Sequence, residues 1–154
     1  MSTLYVMCGI PGSGKSTWVK NNLTENDKHI SRDEIRFSMV NRREEYFSKE
    51  DKVFEQFCLD IAAALKKGYN VFADATHINR GSRRKLLQQV AMYADSIKAI
   101  EVCTPISIAL ERNEGRKDEG LRYVPPSAIK RMYSQYEEPD YDEGFDEILI
   151  ARSY

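Results

Sequence analysis

Residues 9–17 read Gly9-Ile10-Pro11-Gly12-Ser13-Gly14-Lys15-Ser16-Thr17, directly after the apolar run Leu4–Cys8. Gly9 through Ser16 match the phosphate-loop pattern G-x-x-x-x-G-K-[ST]. The context is the one that pattern requires: a buried strand before it and a helix, Thr17 to Leu23, after it. Glycines at positions 9, 12 and 14 let the backbone turn through conformations closed to other residues. Successive N–H groups from Gly9 to Thr17, that of Ser13 included, can then point at a phosphate beside the positive end of the helix. Lys15 supplies a mobile charge for the β- and γ-phosphates of ATP, and the Ser16 hydroxyl is placed to ligate Mg²⁺. The alternative is a glycine-rich turn that binds nothing, but a Lys-Ser pair has no structural purpose in a mere turn.

The 154 residues, 42% hydrophobic and 31% charged, suit one soluble domain over residues 1–154, with no room for a second catalytic domain. A formal net charge of -1 conceals an uneven spread. Arg80, Arg83, Arg84 and Lys85 stand without an acid among them, whereas Glu137–Glu147 holds seven acids and no base. Any nucleic-acid contact must therefore be local. The basic group is read either as plain solvated surface or as a phosphate-contacting patch. Three cysteines cannot all pair. Cys8 and Cys103 sit in strand-like runs and Cys58 in a helical one, so buried reduced thiols and a reducing cytoplasm are expected. No segment has the length and apolarity of a membrane helix, and none has the pattern of an export signal.

Short apolar runs recur at Leu4–Cys8, Val71–Ala73, Ile97–Cys103 and Ile148–Ala151, with a weaker one ending near Ile30. Helical patterns lie between them. Ser48 to Lys67 is the clearest: Ser48 with Asp51 suggests a capping box, Phe54, Phe57, Ile61 and Leu65 form an inward stripe, and Gly68 stops it. Further helices are expected from Asn79, burying Leu86, Leu87 and Val90; from Pro105 under a Thr104 cap, with Ile106 and Leu110 inward; and after Pro125-Pro126. Strands alternating with helices imply a parallel sheet inside a three-layer α/β/α sandwich. The segment 112–124, polar and holding Gly115 and Gly120, is the candidate mobile lid.

Other carboxylates would lie at the same sheet edge. The second strand ends in Ser31-Arg-Asp-Glu-Ile-Arg36, where Asp33 can take the proton from an attacking hydroxyl and Arg36, one turn on, can hold an anion on the acceptor. The bland alternative makes Ser31 or Asp33 a helix cap and Arg36 a surface charge. Asp74 closes the third strand, either to hold a metal-bound water or to position the acceptor, and Thr76 and His77 follow it. Arg112 and Arg116 suit a lid that closes over ATP, or else a helix end that favours positive charge.

The ordered set GIPGSGKST, SRDEIR, DATHIN with RGSRRKL, ERNEGR and VPPSAIKRMY resembles the 5′-polynucleotide kinase domain of phage and bacterial end-healing enzymes over nearly the whole chain. The resemblance implies a five-stranded parallel sheet in the order 2-3-1-4-5 and transfer of the γ-phosphate of ATP, with Mg²⁺, to a 5′-hydroxyl of single-stranded DNA or RNA. It also implies Asp33 as general base, Arg36 on the acceptor's 3′-phosphate, and Arg112 and Arg116 as lid arginines, with Arg116 on the phosphates. Two other readings share the loop: a kinase of a small hydroxyl metabolite, which the near-neutral charge favours, and a nucleotide-dependent switch without phosphoryl transfer.

Overall fold

The computed structural model describes residues 1–40 and 48–152; the expected single domain over 1–154 thus includes positions outside the described residues. Five strands, β1 (Thr3–Cys8), β2 (Asp27–Ser31), β3 (Asn70–Asp74), β4 (Ser96–Cys103) and β5 (Glu147–Arg152), form one sheet in the order β2-β3-β1-β4-β5. Every neighbouring pair is parallel, as the resemblance implies, with Leu4 opposite Val71 on one side and Ile97 on the other. From β1 the chain is flanked by β3 on one side and β4 on the other. The phosphate loop therefore opens at the point where strand order reverses, the ordinary ligand crevice of such sheets.

Alternation along the strands divides the core between the two faces. Leu4, Val6, Val71, Ala73 and Ala99 meet Phe57, Ile61 and Leu65 of α3 (Glu50–Lys66) and Leu86 and Val90 of α4 (Arg80–Val90). On the opposite face Met7, Phe72, Ile100 and Val102 pack on Val19 and Trp18 of α1 (Lys15–Asn22), and the Tyr5 and Phe72 rings stack 4.4 Å apart. Between the two faces the sheet forms the middle of the expected three layers. Ile10 of the loop joins Ala109 of α5 (Ile106–Glu114) and Ile129 of α6 (Pro126–Gln135) in a third cluster. Among the described residues no helix is long and apolar enough to cross a membrane.

Four local expectations are corrected. Helix α1 begins at Lys15 rather than Thr17, because Gly14 at φ 96° already occupies its N-cap. Helix α3 starts at Glu50 with Lys49 at its N-cap and no side-chain cap, so the Ser48–Asp51 box does not form. Thr104 does not cap α5: its hydroxyl donates to Ser13 O at 2.8 Å, which leaves Pro105 at the N-cap. Cys8 and Cys58 are buried, but Cys103 is only half-buried.

The separation into a basic and an acidic block is the fifth and larger correction. Arg83, read as surface or as a phosphate patch, is wholly buried. Its Nε donates to Glu143 Oε1 at 2.8 Å and its Nη1 to His77 O at 2.8 Å. Arg80 pairs with Asp142 at 2.9 Å. The two blocks neutralise each other across the fold, so the start of α4 presents less free positive charge than its composition suggests. The helix expected from Asn79 begins at Arg80, with Asn79 at its N-cap accepting from Ser82 N at 2.7 Å.

Candidate active site

The loop is shaped by its glycines and then braced by its neighbours. At Gly12, φ is +83° and an added Cβ would lie 2.6 Å from Ala109 O, so helix α5 and a left-handed backbone both demand glycine there. Gly9 N donates to Thr76 O at 2.9 Å, which ties the loop to the segment after β3. Lys15 Nζ reaches over the loop to Gly9 O at 2.9 Å and Ile10 O at 3.0 Å. Burial lowers the Lys15 pKa, while the charges of Asp74 and Asp33 oppose that shift and Arg116 adds to it. Three charged side chains from separate parts of the chain thus bear on one ammonium.

Ser16 at the start of α1 donates to Asp74 Oδ2 at 2.7 Å. Burial alone would raise the Asp74 pKa, but hydrogen bonds from His29 and Ser16 and the charge of Lys15 hold it below the ordinary carboxylate value. A hydroxyl and an ionised carboxylate at the mouth of a phosphate loop are the hard oxygen donors that Mg²⁺ takes, so the residues present fit that ion.

Helix α2 (Arg32–Met39) begins at Ser31, whose Oγ accepts from Glu34 N at 3.2 Å. Asp33 lies on its first turn with a side chain 65% exposed, ion-paired to Arg36 and open to solvent rather than walled off. Arg36, in contrast, is buried. Its Nε and Nη2 donate to the two oxygens of Glu50 at 3.0 and 2.7 Å, and Arg32 reaches Glu50 Oε1 at 2.7 Å. Burial would raise the Glu50 pKa, but the two guanidinium groups bring it down. Arg36 is therefore held between Glu50 and Asp33, not displayed as a surface charge.

The segment after α5 arches from the loop to α2. Arg112 Nη1 donates to Gly12 O at 3.2 Å. Asn113 is buried and clamps the far end of the arch, its Nδ2 donating to Val124 O at 2.6 Å and its Oδ1 accepting from Val124 N at 2.9 Å. Arg122 pairs with Glu34 at 2.8 Å and lies 5.0 Å from the Phe37 ring. Arg116, half-buried, follows the last turn of α5.

Thr76 contributes its carbonyl to the loop, and His77 is buried at φ 43° with Nδ1 2.6 Å from Met7 O. Burial pushes the His77 pKa down to about 4. On the β4 side of the loop a cavity of about 300 Å³ is bounded by Gly9, Thr104, Tyr133 and Tyr136. There Tyr136 donates to Glu101 at 2.6 Å.

Glu50, which locks Arg36, escaped the reading of the sequence, and His29, a lone histidine to which the sequence alone gives little claim, shares the Asp74 carboxylate. Strand alternation puts His29 on the face of Ser31, yet only the β2–β3 register brings it to Asp74.

A parallel five-stranded sheet in this order, with a phosphate loop after β1 and a carboxylate closing β3, defines the P-loop kinase fold. The chain belongs to the AAA_33 family, described as an AAA domain, whose model matches residues 4–139. It is similar to a protein of Autographa californica nuclear polyhedrosis virus named as a bifunctional polynucleotide kinase/RNA ligase, 26% identical over 86% of this chain and 20% of that protein. A protein of Acanthamoeba polyphaga mimivirus, named as a bifunctional polynucleotide phosphatase/kinase, is 29% identical over 98% of this chain and 33% of its own length. The chain thus spans a third or less of those relatives. Among solved structures it resembles one in the Pnkp1/Rnl/Hen1 RNA repair complex, with 26% identity, TM-score 0.73, and coverage of 87% of this chain and 43% of that one. In fold alone it also resembles a gluconokinase from Sinorhizobium meliloti, at 18% identity and TM-score 0.59 over 97% of this chain and 82% of that one.

Proposed function

We propose that the chain is an ATP-dependent phosphotransferase that moves the γ-phosphate to a 5′-hydroxyl end of DNA or RNA, with Asp33 as general base. The observation that carries this reading is the phosphate loop with its Ser16 hydrogen-bonded to Asp74, beside an exposed Asp33 that is ion-paired to the buried Arg36 on the first turn after β2. The names of the viral relatives and of the RNA repair complex support the choice of acceptor.

In this reading the acceptor hydroxyl gives its proton to Asp33 as its oxygen bonds the γ-phosphorus. The bond from that phosphorus to the β–γ bridging oxygen breaks, and ADP leaves. Arg36, fixed by Glu50, orients the Asp33 carboxylate; a 3′-phosphate on the acceptor would compete with Asp33 for the same guanidinium. Thr76 borders the acceptor side. The loop from Gly9 to Thr17 cradles the donor, Lys15 turns from the loop carbonyls to the phosphates, and Arg112 and Arg116 close over the nucleotide. Ser16, with Asp74 behind it, would hold Mg²⁺, which supplies charge neutralisation on the phosphate oxygens.

A second reading keeps this machinery and gives it a small hydroxyl metabolite. The net charge of -1 and the neutralisation of Arg80 and Arg83 by acids favour it, since a strand needs phosphate contacts. The test is labelled γ-phosphate offered in parallel to 5′-hydroxyl oligonucleotides, 3′-mononucleotides and a panel of sugars and nucleosides. Transfer to oligonucleotides, abolished by Lys15→Ala, is expected. Transfer to metabolites alone would establish the second reading, and ATP turnover that no acceptor stimulates and Asp33→Ala leaves intact would point to a switch.

A further inference from the structure

Asp74 Oδ2 accepts two hydrogen bonds at once, from Ser16 Oγ at 2.7 Å and from His29 Nε2 at 2.8 Å. The second follows from the sheet. In the β2–β3 register His29 lies opposite Phe72 and Ser31 opposite Asp74, so the imidazole reaches diagonally along the face that α1 covers. Both side chains are well shielded, at 15% and 5% exposure. A carboxylate oxygen at 2.8 Å accepts, so the imidazole carries its hydrogen on Nε2 and donates it. No other described side chain donates to Asp74, which leaves Oδ1 without a protein partner among the described residues.

We infer that His29 is a positioning residue for the divalent-cation site, holding the Asp74 carboxylate in the one orientation from which it can accept the Ser16 proton. A serine that donates its hydrogen inward to Asp74 turns its oxygen lone pairs outward, toward the loop mouth where a cation bound to phosphate would sit. Asp74 can perform that service only while its own torsion is fixed. Ser16 alone cannot fix it, because a single hydroxyl hydrogen leaves the carboxylate free to swing about its Cβ–Cγ bond. The imidazole on the same oxygen, approaching from β2, removes that freedom. Ser16, Asp74 and His29 thus form a chain of three side chains from three elements, with His29 touching neither nucleotide nor cation. The inference rests on the proposal that Ser16 and Asp74 serve Mg²⁺.

The test measures binding of a fluorescent ADP with and without Mg²⁺, together with phosphoryl transfer across a Mg²⁺ titration, in the wild type, His29→Leu, His29→Gln and Lys15→Ala. Glutamine places its Nε2 donor close to that of the imidazole, whereas leucine keeps the bulk and has no donor. Partners that orient a metal ligand are typically worth about 10- to 100-fold in metal affinity. His29→Leu should accordingly raise the half-saturating Mg²⁺ concentration by roughly tenfold or more, His29→Gln should restore most of it, and Mg²⁺-free ADP binding should be unchanged in both.

The inference is overturned if His29→Leu keeps the wild-type Mg²⁺ dependence. It is equally overturned if glutamine is as defective as leucine, or if Mg²⁺-free binding falls in step, since any of these makes the histidine a packing element only. Failure of the kinase reading looks different. Wild type would then transfer to no acceptor, or Lys15→Ala would retain transfer, while the Mg²⁺-linked change in ADP affinity still reports on His29.

Discussion

Replacing Arg83 with methionine keeps much of the side-chain volume and removes a guanidinium that is wholly buried. What it strands can be enumerated. The Glu143 carboxylate, 6% exposed, loses both Arg83 donors and keeps, among the described residues, only Asp140 N at 2.8 Å and the Arg80 guanidinium at 3.8 Å, and the carbonyls of His77 and Glu138 each lose one donor. Breaking a buried ion pair by removing one partner costs about 3–5 kcal/mol, because the remaining charge stays buried. For a domain of this size each kcal/mol corresponds to about 2–4 °C, so Tm should fall by roughly 6–20 °C. Adding Glu143→Gln removes the stranded charge and should recover about 1–2 kcal/mol of that loss; the two carbonyls still lack their donor. Urea and thermal melts of both single variants and the double variant give the comparison. An Arg83→Met protein within about 1 kcal/mol of wild type, or a double variant no more stable than Arg83→Met, would refute the assignment of Arg83 as an internal ion-pair anchor.

Two other outcomes follow from the same structure. Gly12→Ala forces a Cβ to 2.6 Å from Ala109 O at a φ of +83°, so the loop must shift; ADP affinity, measured by calorimetry, should drop by at least about tenfold, and an unchanged affinity would contradict the fit described. His77, whose pKa burial lowers from 6.5 to about 4, is neutral when folded and charged when unfolded between those values. Its contribution to stability is therefore complete above about pH 6.5 and is lost progressively as the pH falls toward 4, by up to about 3 kcal/mol. Urea midpoints across that range should slope less in His77→Asn, which also tolerates the left-handed backbone; equal slopes in the two proteins would count against a buried neutral imidazole.

Much of this architecture is written in local patterns. The phosphate loop was legible because its glycines, lysine and serine are contiguous and each has a separate physical task. The periodic stripe of α3 was legible because Phe57, Ile61 and Leu65 do face the core. The sheet order came through the resemblance to a family, since alternation alone cannot say which strand lies beside which. The helix starts were less legible, and the reason is competition. Thr104 directs its hydroxyl to Ser13 O while Pro105 takes the N-cap of α5, and Glu50, not Ser48, set the first turn of α3 while meeting two arginines. The pairing of Arg83 with Glu143, sixty positions apart, left no trace in either charge block. His29 lacked a local signal for the same reason: its partner is supplied by strand register.

The central claim is that Asp33 takes a proton from a hydroxyl attacking bound ATP. Single-turnover transfer to the best acceptor, measured for wild type and Asp33→Asn alongside ADP affinity, tests it most directly. Loss of a general base should slow transfer by about 10²- to 10⁴-fold while ADP affinity stays within about twofold of wild type. Transfer by Asp33→Asn within about threefold of wild type would contradict the account.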